Sequence, residues 1–167
     1  NKSGHYRLVD RARWLVHGMF CEENDSWRLV EAFRKNQDTE TYVNKNAVND
    51  FSNAIERALE NGGEILYGGT AIDGPGNFVT PTIVSAENDW DIVQEETFAP
   101  VLYLMKYNSF DDAIFMHNDV PQGLSSAMFT TNVKNAEEFL SSTGSDCGIA
   151  NINIGTSGAE IGGAFGG

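Results

Sequence analysis

Pro100-Val-Leu-Tyr-Leu-Met-Lys-Tyr-Asn-Ser-Phe-Asp-Asp-Ala-Ile-Phe-Met-His117 passes from one kind of periodicity to another. Val101 to Tyr107 is a nearly unbroken apolar run opened by Pro100, the pattern of a strand buried on both faces. Ser109, with Asp112 three residues on, resembles a capping box in which Asp replaces Glu or Gln, and predicts a helix over Asp111–His117. The same alternation continues downstream. Ser125–Thr131 reads as a strand, Ala136–Ser142 as a short helix, and Ile149–Ile154 as a strand of alternating polarity.

Upstream, Asn46–Asn61 carries Ala47, Val48, Phe51, Ala54, Ile55, Ala58 and Leu59 on one helical stripe, stopped by Gly62-Gly63. A strand is expected at Ile65–Tyr67, and Asp73-Gly-Pro-Gly-Asn77 is a turn by its residue types. Phe78–Val84 is rich in β-formers, yet Pro81 cannot donate to a ladder and must mark an edge, a bulge or a strand start. Strands alternating with helices define an α/β layered domain over 43–167. Residues 1–42 read differently. Leu8, Ala12, Leu15, Val16 and Met19 recur at helical spacing, and Asp25–Lys35 forms a second stripe, so a helical hairpin is predicted there. The tail Gly155–Gly167 has no apolar period and no stop signal, the pattern expected of a chain cut within a domain.

The chain has 167 residues, enough for one domain with a core. It carries 11 basic against 24 acidic residues, and a surface for nucleic acid would need clustered Lys and Arg, so nucleic acid is not an expected partner. No apolar run approaches the ~18–20 residues that span a bilayer, and no signal peptide is evident, so neither a membrane nor export is expected and the cytoplasm is the default location. Two cysteines, Cys21 and Cys147, make no disulfide framework. His5, His17 and His117 have no metal-ligand spacing, and no metal site is predicted.

Four segments stand in order: Gly76-Asn-Phe-Val-Thr-Pro-Thr-Ile83, Gln94-Glu-Glu-Thr-Phe-Ala-Pro-Val101, Gln122-Gly-Leu-Ser-Ser-Ala-Met-Phe-Thr130, and Asn151 followed by Phe165-Gly-Gly167. Together they resemble the catalytic domain of the aldehyde dehydrogenases, from about Val43 to Gly167. The second segment is similar to that family's Glu-Glu-aliphatic-Phe-Gly-Pro-Val motif. Gly144 to Gly167, above all Ser157-Gly-Ala-Glu-Ile-Gly-Gly163, resembles the antiquitin group, whose members oxidise α-aminoadipic semialdehyde in lysine breakdown with NAD. The resemblance implies part of a Rossmann-like layered sheet with helices, and the oxidation of a small-molecule aldehyde to a carboxylate with NAD as cofactor.

It also assigns roles. Glu96 matches the glutamate that accepts hydrogen bonds from the nicotinamide ribose, and an ionised carboxylate suits a diol. By residue type alone Glu96 reads first as a solvated glutamate of an acidic chain, as Glu95 beside it does, and only the resemblance reverses that. Phe98 matches the phenylalanine beside the nicotinamide ring, where otherwise it would be a core aromatic. Ser157, Gly158 and Ala159 match the loop that holds the aldehyde, which is otherwise a flexible surface loop, and Phe165 the aromatic near the substrate tunnel.

The family's nucleophilic cysteine stands in a Gly-Gln-x-Cys segment upstream of the helix at Asn46–Asn61. Cys21, in Met-Phe-Cys-Glu-Glu, does not match it, and its acidic neighbours oppose a thiolate. No catalytic residue is therefore assigned, and the isolated chain is expected to be inactive. Two other readings stay open: a non-catalytic protein that self-associates or binds aldehyde dehydrogenase subunits, and a translated gene fragment with no selected role.

Overall fold

The computed structural model of the chain describes the backbone of residues 5–10, 17–21 and 40–41, and residues 45–156 in full. Strand β8, Val101–Tyr107, lies inside a seven-stranded sheet, and every residue but Lys106 is buried. Its neighbour β7, Thr82–Ser85, runs parallel to it, with Thr82 opposite Val101 and Ser85 opposite Leu104. Antiparallel β4, Glu64–Tyr67, closes that edge. On the far side stand β9, Ser125–Phe129, and β10, Ile149–Ile152, parallel to each other.

Helix α1, Lys45–Glu60, covers the β7–β8 side. It buries Phe51, Ala54, Ile55 and Ala58 against Val84, Val101, Tyr103 and Met105 in one core cluster. The stripe is thus the predicted one, although Leu59 at its margin is exposed. The stop works as expected: Gly62 adopts φ +92, a conformation that costs glycine little, and Gly63 N–H donates to Ala58 O at 2.8 Å. After the short helix α2, Asp91–Gln94, and β8 comes α3, Phe110–Asn118. Ser109 Oγ accepts from Asp112 N–H at 3.1 Å, while the Asp112 carboxylate accepts from Asn108 N–H at 2.9 Å, one residue earlier than a strict capping box would have it. Helix α4, Val133–Phe139, starts three residues before the predicted helix because Asn132 caps it, accepting from Lys134 and Asn135 N–H. Tyr107, Ala113, Met128 and Phe139 form a second core cluster there.

Pro81 separates two sheets. Before it, β6, Phe78–Val79, joins β3, Glu40–Thr41, and β5, Ala71–Ile72, in a three-stranded sheet; after it, β7 enters the large one. A residue without an N–H sits where the chain leaves one ladder for another.

The predicted hairpin of helices in residues 1–42 needs correction. His5–Asp10 and His17–Cys21 are strands, β1 and β2, paired antiparallel and inserted between β8 and β9. β1 pairs with β8 from His5↔Tyr107 to Asp10↔Leu102, and β2 runs parallel to β9. The helical stripe of Leu8 to Met19 is sparse, and Gly18 weakens a helix by about 0.5–1 kcal/mol. Pairing with β8 and β9 satisfies backbone groups along both strands at once, a tertiary gain that outweighs local spacing. The second expected helix, Asp25–Lys35, lies outside the described residues.

Candidate functional site

Gln94 to Pro100 links α2 to β8, and its residues alternate in environment. Thr97 and Ala99 are buried, whereas Glu96 is exposed and Phe98 is 51% exposed. Glu95 leaves α2 at φ −83 and ψ 146, and a tight turn closed by Ala99 N–H on Thr97 O then turns Phe98 to the surface while Thr97 and Ala99 stay inside. Glu96 and Phe98 thus both reach the surface, two residues apart. The Glu96 carboxylate meets no hydrogen-bond or ion-pair partner among the described residues, and so keeps its acceptor capacity.

Both flanks of this segment are tied down. Gln94 Nε2 donates to Asn88 O at 2.6 Å and to Asp119 O at 3.0 Å, fastening the end of α2 to the end of α3. Thr82 N–H donates to Pro100 O at 2.8 Å, joining the exit of the segment to β7. Between them Ala99 N–H donates to Thr97 O at 2.7 Å. Glu95, read from sequence as a solvated neighbour, is exposed yet engaged: Arg57 Nη1 and Nη2 donate to its two carboxylate oxygens at 2.5 and 3.0 Å. That hydrogen bonding is the main cause that raises the Arg57 guanidinium above its ordinary pKa, against a smaller opposing effect of desolvation. Sequence reading missed Arg57, Asn88 and Gln94 as supports. Arg57 is one half-buried position at the edge of an amphipathic helix, and nothing in spacing links it to a residue 38 positions away.

The segment precedes β8, at the strand's amino end. It is therefore not the crevice at strand carboxyl ends where open parallel sheets hold ligands by themselves. Asn151, in β10, donates through Nδ2 to Gly155 O at 2.9 Å, and Ser125 Oγ donates to Thr156 O at 3.0 Å, so the chain is held up to the threshold of the expected substrate loop. Ser157, Gly158, Ala159 and Phe165 lie outside the described residues, as does the side chain of Cys21. No group of three or more metal-binding side chains occurs among the described residues, and no helix there is long and apolar enough to cross a membrane.

A second polar cluster was not foreseen. Buried His117 places Nε2 2.8 Å from Ser145 Oγ; Ser145 Oγ is 2.8 Å from Ser126 Oγ, which donates to Ile149 O at 3.1 Å. Cys147, half-buried, has its Sγ 3.6 Å from the same imidazole nitrogen.

The sequence profile of the aldehyde dehydrogenase family matches residues 16–167, and the chain belongs to that family. The match begins within the stretch set apart above as 1–42. Within the family the chain is 52% identical over 124 residues to the alpha-aminoadipic semialdehyde dehydrogenase of Bos taurus, covering 74% of this chain and 23% of that one. It is 54% identical over 118 residues to aldehyde dehydrogenase family 7 member B4 of Arabidopsis thaliana, covering 71% and 23%. The chain thus spans about a quarter of the length of these curated relatives. Among solved structures, the indole-3-acetaldehyde dehydrogenase of P. syringae, in complex with NAD+, superposes at a TM-score of 0.68 with 29% identity, over 75% of this chain and 26% of that one. A 1-pyrroline-5-carboxylate dehydrogenase of Thermus thermophilus superposes at 0.75 over 84% and 28%; at 24% identity it attests the fold alone.

Proposed function

We propose that this chain supplies part of the catalytic domain of an NAD-dependent aldehyde dehydrogenase that oxidises α-aminoadipic semialdehyde, an intermediate of lysine degradation. The observation that carries the reading is the joint presentation of Glu96 and Phe98 on a segment whose other residues are anchored. A nicotinamide nucleotide fits these two groups: an exposed carboxylate without a partner among the described residues accepts from a ribose diol, and a half-exposed aromatic borders a flat ring. When bound, the cofactor serves as hydride acceptor. Relatives at 52% and 54% identity support the aldehyde chemistry, and the Bos taurus enzyme's name supports the substrate. Ser157, Gly158 and Ala159 would hold the substrate, with Phe165 beside it.

The test places Glu96→Gln in a full-length version that carries the Gly-Gln-x-Cys segment. Losing one charged hydrogen bond costs about 1.5–3 kcal/mol, and part of this appears in the hydride-transfer rate because the ribose contact orients the ring. An unchanged rate and an unchanged KM for NAD would defeat the assignment. The chain by itself should form no NADH from α-aminoadipic semialdehyde or propanal. Turnover that disappears in Cys21→Ala would instead make Cys21 the nucleophile. Leu59, Leu66, Phe115, Val133, Leu140 and Ile154 are exposed apolar side chains, which favours association with further copies or with aldehyde dehydrogenase subunits. Light scattering of a concentrated sample should show species larger than a monomer, and a clean monomer would contradict this. The location proposed is the cytoplasm.

A further inference from the structure

An ion pair grips the candidate motif from α1. Arg57 and Glu95 meet fork to fork, through both guanidinium Nη atoms and both carboxylate oxygens, at 2.5 and 3.0 Å. A bidentate pair fixes direction as well as distance. Glu95 immediately precedes Glu96, so the pair fixes the chain one residue before the candidate ribose ligand. Both glutamates are exposed, but the Glu95 carboxylate is tied to α1 by Arg57, while Glu96 meets no hydrogen-bond or ion-pair partner among the described residues.

We propose that Arg57 is a positioning residue for the cofactor contact: by holding Glu95 against α1, it sets the direction in which Glu96 offers its carboxylate to the ribose and Phe98 its ring. The proposal rests on the reading of Glu96 given above. Two features separate this role from a general contribution to folding. The side chains are 31% and 56% exposed, and ion pairs so exposed contribute little to stability. Helix α1 is already docked by Phe51, Ala54, Ile55 and Ala58 in the core. Gln94 secures the segment where it begins and Pro100 where it ends. Arg57 acts between these ties, next to the residue that must point outward.

Arg57→Gln, Glu95→Gln, the double variant, and the exchange of Arg57→Glu with Glu95→Arg go into the full-length version, beside Glu96→Gln. Initial rates give kcat and the KM for NAD, and thermal unfolding gives the midpoint of each. Each single change should lower kcat/KM for NAD by about threefold to fivefold. The double variant should lose no more than either single, because both remove one contact. The charge exchange should regain most of the loss, and the midpoints should stay together. Should Arg57→Gln leave NAD kinetics untouched while Glu96→Gln impairs them, the positioning role falls and the ribose contact stands. A silent Glu96→Gln overturns the ribose contact and the role of Arg57 with it. If midpoint and rate fall in parallel and the exchange restores neither, the pair is structural and the proposal is wrong.

Discussion

Helix α1 and the segment Glu95–Ala99 meet each other, yet their residues are held by different means. On α1 the important side chains are those that vanish: Phe51 and Ala58 are at most 1% exposed, packed under β7 and β8. On the segment the important ones are those that remain outside, while small Thr97 and Ala99 hold the backbone down. A helix face is specified by what it buries. A presented residue is specified by its neighbours, and its own identity is free to answer to something else. Phe98, 51% exposed, is a residue of this second kind.

Three substitutions test this contrast through the stability of the chain, read by urea or thermal unfolding. Phe51→Ala should have the largest effect, about 3–5 kcal/mol, from lost burial and the cavity left behind; a loss below about 1 kcal/mol would mean that α1 is not docked as described. Ser109→Ala removes the N-cap of α3, which lies outside both regions, and should cost about 0.5–2 kcal/mol. Phe98→Ala should be the mildest, within about 0.5 kcal/mol, as for an ordinary surface position. A loss for Phe98 approaching that for Phe51 would erase the distinction and return Phe98 to the core.

Much of this arrangement could be read in the chain beforehand, for identifiable reasons. The stripe of α1, the apolar run of β8 and the Ser109 cap are local signals, each complete within one element. Pro81 announced an interruption, although not that two sheets meet there. The roles proposed for Glu96 and Phe98 rest on a family motif alone, because an acid and an aromatic two residues apart have no intrinsic chemistry. The misreading of His5–Asp10 and His17–Cys21 has the opposite origin: what makes them strands is β8 and β9, more than 80 residues further along. The clasp between Arg57 and Glu95 is likewise a product of the fold, invisible until α1 lies across α2.

Proton arithmetic adds one consequence of the buried hydroxyl chain. Each serine has one proton to give, and Ile149 O can only receive. To fill all three contacts, Ser126 gives to Ile149 O, Ser145 gives to Ser126, and His117 gives from Nε2 to Ser145. The chain therefore has a direction, and it selects the imidazole form with a proton on Nε2, whether the ring is neutral or charged. Cys147, 3.6 Å from that atom, faces a donor and not a lone pair. The thiol that in outline stands beside a base is, at this nitrogen, beside an N–H, and the two serines decide the difference.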